Sequence, residues 1–127
     1  MQDSSMEPTL TAGSVVRFQP AVEAGRGDVI AFEYPFPYPG RPRRELVARV
    51  IGLAGDRLEL GPGGVTVNGQ RLSEPYAKNQ DRMSRAQATV APGAYFVLGD
   101  DRGNQRDSRW WGPLPVEKLL GVASPPR

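Results

Sequence analysis

Thirteen prolines and fifteen glycines are spread through 127 residues, and they cut the chain into apolar runs too short for ordinary helices. Proline has no backbone donor to give a helix or ladder, and glycine takes the turn conformations that other residues avoid. What lies between these breaks reads as strand. Val15–Phe18 follows the turn signal Ala12-Gly13, and Asp28–Glu33 follows Arg26-Gly27. The stretch Tyr34-Pro35-Phe36-Pro37-Tyr38-Pro39-Gly40 cannot extend that second strand. Glu45–Leu53 is the longest β run and is apolar on both faces, while Arg57–Leu60 alternates with period two. After the turn Gly61-Pro62-Gly63-Gly64 comes Val65–Val67, and Asn68-Gly69 predicts a tight hairpin returning through Gln70–Leu72. Residues 77–86 are polar and aperiodic and read as a loop. Ala88–Val90 and Tyr95–Leu98 flank Ala91-Pro92-Gly93, and only Val116–Leu120, behind Pro115, has helical character. Regularly spaced short strands predict a single all-β domain over 1–127, a compact barrel or sandwich with one short C-terminal helix.

The absences narrow the chemistry. The chain has no cysteine and no histidine. Disulfides, thiol catalysis, a Ser-His-Asp triad and a His- or Cys-based zinc site are therefore excluded. Any nucleophile must rely on Lys, Asp, Glu or a terminus as its base, and Lys78 and Lys118 are the only lysines. No metal or other cofactor is implied. Net charge is +2 and the arginines are dispersed among acidic residues, which does not make a nucleic-acid stripe. The one basic run, Arg41-Pro42-Arg43-Arg44, reads as a solvated loop or as a contact for anionic lipid headgroups. No apolar run approaches the roughly 18 residues of a membrane span, so the chain as written is expected to be soluble.

Four stretches carry more information than their composition. In Ser4-Ser5-Met6-Glu7-Pro8-Thr9-Leu10, Pro8 pushes Glu7 toward an extended shape, and Met6 offers a soft apolar side chain beside a hydroxyl. The others are Arg26-Gly27-Asp28-Val29-Ile30-Ala31-Phe32, Val47-Ala48-Arg49-Val50-Ile51-Gly52-Leu53-Ala54-Gly55-Asp56, and Gly99-Asp100-Asp101-Arg102-Gly103-Asn104-Gln105-Arg106-Asp107-Ser108-Arg109-Trp110-Trp111-Gly112. In this order they resemble the boxes of the bacterial type I signal peptidases, Ser-Lys endopeptidases, in a compact form. The segment from Val67 to Tyr76 is similar too, less specifically, and reads as a scaffold hairpin.

The resemblance implies that Ser5 is the nucleophile and that a lysine should stand just before Arg49. The residue there is Ala48, which has no titratable group. Arg49 cannot stand in, because a guanidinium stays protonated at working pH. By the same resemblance Asp107 and Arg109 buttress the site, and Met6, Ala31 and Val47 line small pockets for the peptide. Three departures stand out. Gln105 replaces a serine that would bond the lysine, Asp3 replaces a Ser or Gly near the oxyanion hole, and Ala54 replaces a proline.

The activity implied by resemblance is that of an endopeptidase that cleaves signal peptides from exported preproteins after small-x-small motifs. It would act at the outer face of the bacterial cytoplasmic membrane, held by an N-terminal anchor absent from this sequence. With Ala48 the chain is expected to be inactive. Three readings stay open: an enzyme whose lysine has been replaced, a natural non-catalytic relative that binds exported or surface proteins, and a β-barrel interaction module unrelated to proteolysis.

Overall fold

The computed structural model describes residues 18–36, 44–104 and 107–123. Ten strands form its framework: β1 (Phe18–Pro20), β2 (Val29–Glu33), β3 (Glu45–Gly52), β4 (Arg57–Gly61), β5 (Gly64–Val67), β6 (Gln70–Arg71), β7 (Ala86–Thr89), β8 (Ala94–Leu98), β9 (Leu114–Pro115) and β10 (Leu119–Ala123). One turn of α-helix, α1 (Ser108–Trp111), interrupts them. The strands form two antiparallel sheets, a six-stranded one in the order β1-β10-β2-β3-β8-β9 and a four-stranded one in the order β6-β5-β4-β7. The expected all-β architecture is what is found. Of the first expected strand, residues 15–17 lie outside the described residues, and Phe18 opens β1.

The chain passes from the large sheet to the small one at the end of β3. The β3–β8 register slips between Val50 and Gly52. A Cβ at Gly52 would lie 2.9 Å from both Leu58 Cδ1 and Val90 Cγ2, so only glycine lets the sheets close this tightly. Asp56 then fixes the crossing. It accepts hydrogen bonds from the Leu53 N–H at 2.8 Å and from Asn68 Nδ2 at 3.0 Å, and pairs with Arg26. Burial alone would raise its pKa, but the Leu53, Arg26 and Asn68 bonds outweigh it and hold the carboxyl below its usual range. Asn68 and Gly69, with φ of 52° and 85°, make the primed turn that the sequence predicts.

Two apolar clusters make up most of the core, and a smaller third around Val29 and Ala123 lies on the large sheet. Leu58, Leu60, Val65, Met83, Val90 and Phe96 fill the space under the small sheet. Ile30, Phe32, Ala48, Val50, Val97 and Leu114 fill the other, within the large sheet.

The helical expectation moves. Val116–Lys118 is a single 3₁₀ turn, and Leu119 onward is strand. Local helical character loses there because β10 pairs with both β1 and β2, and its alternating residues Leu119, Gly121 and Ala123 are buried. The α-helix lies earlier, at α1, where Asp107 caps it by accepting from the Arg109 N–H. Within the polar stretch 77–86, Gln80–Arg82 forms a 3₁₀ turn and β7 starts at Ala86.

Candidate active site

Strand β3 has one edge half open. The Tyr34 N–H donates to the Arg44 carbonyl, and the Val50 N–H donates to the Asp28 carbonyl. Even-numbered residues of β3 therefore aim their backbone groups at β2, and Glu45 and Val47 aim theirs at the opposite edge. On that edge β8 pairs only from Arg49 onward, with Arg49 across from Leu98 and Val50 across from Val97. Among the described residues no strand covers Glu45–Val47 there. Ala31 faces Val47 directly across the β2–β3 ladder, and both are half-buried. These two candidate pocket residues are thus brought together. Val47 packs with Val29 and Phe18 on the face of β3 opposite Ala48.

Ala48 is 3% exposed and packs in the apolar cluster with Ile30, Phe32, Val50 and Val97. One step further along the β3–β8 register stands Gly99. Its N–H donates to Asp107 Oδ2 at 2.9 Å. Asp107 also receives the Arg109 backbone N–H and both Nε and Nη2 of its guanidinium, at 3.1, 2.9 and 2.6 Å. Arg109 in turn donates to the carbonyls of Arg102 and Asn104. Ser108 Oγ accepts from the Val97 N–H at 2.9 Å. Asp107, Ser108 and Arg109 thereby fasten the third box to the free edge of β8, beside position 48. The expected Asp107–Arg109 pair is present. Both carboxylate oxygens are engaged, so the pair holds the loop and does not offer a base. A lysine at position 48 would enter apolar surroundings, the setting that lowers an amine pKa.

On the other side of β3, sequence reasoning missed a buried network. Arg49 donates through Nε and Nη2 to the two oxygens of Asp100 at 2.9 and 2.8 Å, and through Nη1 to the Gly27 carbonyl. Its guanidinium lies 3.8 Å from the centre of the Tyr76 ring. Arg102, fully buried, pairs with Glu74 through two bonds and donates to the Gly99 carbonyl. Tyr76 Oη donates to Glu74, and Tyr76 is pushed up to about 12 by burial and then by the Glu74 charge. The segment read as part of a scaffold hairpin therefore crosses to the third box and grips it. One sign was visible in the sequence: an arginine inside an otherwise apolar strand must find a partner when buried.

Ser5, Met6, Asp3 and Gln105 lie outside the described residues. Among the described residues, no helix is long and apolar enough to cross a membrane.

Comparison with known proteins gives the family and the fold. A family model described as "Signal peptidase, peptidase S26" matches residues 1–126. The chain is 34% identical to the probable signal peptidase I-2 of Synechocystis, over 94% of its own length and 57% of that protein. It is 30% identical to signal peptidase I V of Bacillus subtilis, over 94% of its own length and 79% of that protein. It thus spans only about half of the cyanobacterial relatives it matches. A crystal structure of a signal peptidase I from Enterococcus faecalis superposes with a TM-score of 0.66 at 32% identity, covering 79% of this chain and 96% of that one.

Proposed function

Because the chain belongs to the signal peptidase family, peptidase S26, we propose that it is the peptide-recognising domain of a type I signal peptidase whose general base is missing. The observation that carries this reading is the placement of position 48. It lies in an apolar cluster, one step along the register from the Arg49–Leu98 pair and near the Gly99 that Asp107 anchors, at the inner end of the edge Glu45–Val47 that no strand among the described residues covers. An extended peptide added to that edge gains main-chain bonds from Glu45 and Val47. Met6, Ala31 and Val47 then admit only small side chains, which suits the small-x-small motif of an exported preprotein. The work would be done at the outer face of the cytoplasmic membrane.

With a lysine at 48, the Ser5 hydroxyl gives its proton to the neutral amine as its oxygen attacks the scissile carbonyl. The proton passes to the departing amine, and an acyl-enzyme remains. The amine then draws a proton from the water that hydrolyses it. With Ala48, Ser5 stays a neutral alcohol, and the loss of general-base help is about 10²–10⁴-fold or more.

The test is cleavage of an Ala-x-Ala signal peptide in lipid by the Ala48→Lys protein. Cleavage should appear, and adding Ser5→Ala should abolish it. A second reading, a natural non-catalytic binder of exported proteins, is favoured by Asp3 and Gln105, which also depart from the family pattern. It predicts that Ala48→Lys stays inert while peptide still binds. If neither protein binds such peptides, both readings fall.

A further inference from the structure

The hairpin turn Asn68-Gly69 joins two residues that can react with each other. The Gly69 backbone nitrogen can attack Cγ of the Asn68 amide. A C–N bond forms between them, the bond from Cγ to Nδ2 breaks, and ammonia leaves with the proton of the Gly69 N–H. Water then opens the five-membered imide at either carbonyl. One opening leaves aspartate at 68, and the other leaves isoaspartate, with the main chain routed through the side-chain carbon. Only water is consumed. Asparagine is thermolabile for this reason, and glycine, with no side chain, hinders the attack least. The other two asparagines, Asn79 and Asn104, both precede glutamine.

The fold exposes this pair and also restrains it. Asn68 and Gly69 are both exposed, and a Cβ at Gly69 would meet nothing within 4 Å. Beside the turn lies a groove of about 450 Å³ lined by Arg57, Glu59, Gln87 and Thr89, so water has room to reach it. Yet both ends of the Asn68 amide are held. Its Oδ1 accepts from the Arg57 N–H at 2.8 Å, and its Nδ2 donates to Asp56 Oδ1 at 3.0 Å. The Asn68 N–H donates to the Arg57 carbonyl at 2.8 Å. Asp56 is itself buried and anchored by the Leu53 N–H and by Arg26. Ring closure turns the amide onto its own main chain, so these side-chain bonds must first be given up.

Conversion would remove a donor and add a charge. Where Nδ2 now stands, aspartate would set a carboxylate oxygen against Asp56 Oδ1. Burial raises the Asp56 pKa, and the bonds from Leu53, Arg26 and Asn68 more than offset it. A second carboxylate acts in the opposite sense to that Asn68 bond. Isoaspartate would lengthen the main chain inside a two-residue turn, which sets the register of Val67 with both Leu58 and Gln70. Asp56 also holds the chain where it crosses between the sheets, its carbonyl accepting the Val90 N–H at 2.9 Å.

We propose that Asn68 is a site of spontaneous deamidation, that Asp56 guards it in the folded domain by holding its amide, and that conversion loosens the crossing between the two sheets. Refolding does not reverse the change, so each long-lived opening of this turn leaves a lasting mark. The proposal is independent of what the chain binds or cuts.

The test is incubation of the intact chain at mildly alkaline pH, followed by peptide mapping with mass spectrometry. The folded chain should convert Asn68 at least about tenfold more slowly than the chain in urea, and Asp56→Ala should raise the folded rate about tenfold, the factor a hydrogen bond to a charged group supplies. Asn68→Asp, which needs no reaction, should lower the thermal midpoint by about 5–10 °C. Exchanging the pair, Asp56→Asn with Asn68→Asp, returns one donor and one carboxylate to the contact and should recover much of that loss. The proposal is overturned if the folded chain converts as fast as the unfolded one, or if a folded Asp56→Ala protein converts no faster than its parent. Should Asp56→Ala not fold, the other two variants decide. Asn68→Asp melting with the parent, or an exchange that recovers nothing, also overturns the proposal.

Discussion

Ala48 and Arg49 are neighbours on one strand, and the two faces of that strand treat charge in opposite ways. On the Arg49 face, ionised groups are taken out of water and met: Arg49 by Asp100 and Arg102 by Glu74, with the Tyr76 ring near both guanidiniums. No buried side-chain nitrogen or oxygen among the described residues lacks a partner. On the Ala48 face the surroundings are apolar and offer a charge little. The difference separates structure from chemistry. A guanidinium that must hold a loop needs complete pairing, whereas an amine that must accept a proton needs incomplete solvation and incomplete pairing. The scaffold keeps both environments one residue apart.

That contrast can be broken most strongly on the paired face. Glu74→Ala should destabilise the domain by about 3–5 kcal/mol, because it strands the buried Arg102. Urea unfolding would read the loss. Replacing both partners together, Glu74→Leu with Arg102→Met, should recover much of it; if it recovers nothing, the loss comes from packing and not from the stranded charge. On the apolar face, Ala48→Lys should cost less, about 1–3 kcal/mol, shared between overpacking and a buried amine. Its sign with pH is distinctive. The folded-state amine pKa lies below the ordinary value of about 10.4, so the penalty is full below the folded pKa and fades as pH rises toward that value. Ala48→Met should show the steric part alone, with no such slope in thermal unfolding between neutral and alkaline pH.

Smaller effects sharpen the picture. Tyr76→Leu removes the ring that the Arg49 guanidinium covers at 3.8 Å and that Arg102 approaches at 5.9 Å, and should cost about 2 kcal/mol. Tyr76→Phe removes only the hydroxyl bond to Glu74 and should cost about 1 kcal/mol or less. Equal losses would show that stacking contributes nothing. The smallest effect is expected at Asp56. Its depressed folded pKa means that its contribution is present above the ordinary aspartate range, about 3.9, and is lost as pH falls through the folded value. Asp56→Asn should therefore be less stable than the parent at neutral pH, and the gap should close in acid melts.

Much of the molecule was legible from its residues. Proline and glycine placed the strands, Asn68-Gly69 fixed its hairpin, and the boxes pointed to Ala48, Asp107 and Arg109 before any geometry was known. The hidden parts depended on distant stretches of the chain. Val116–Leu120 has helical character that only pairing with β1 and β2 overrides, and the four residues of α1 lie inside a charged stretch with no helical period. Arg49 announced the need for a partner but could not name Asp100, and Glu74 and Tyr76 offered no periodic signal at all. Ser5, Met6, Asp3 and Gln105 remain sequence-based assignments.

The Arg49–Asp100 bond joins residues 51 positions apart, and Arg102–Glu74 joins residues 28 apart. During synthesis, the strand bearing Arg49 therefore leaves the ribosome well before the carboxylate that neutralises it. Until Asp100 and the strands around it arrive, the centre of the large sheet holds a cation it cannot bury, and β8 and β10 are not yet there to flank β3 and β2. Closure of this sheet is thereby tied to the third box, which makes the domain a late and cooperative folder, with little native structure to be gained from its N-terminal half alone.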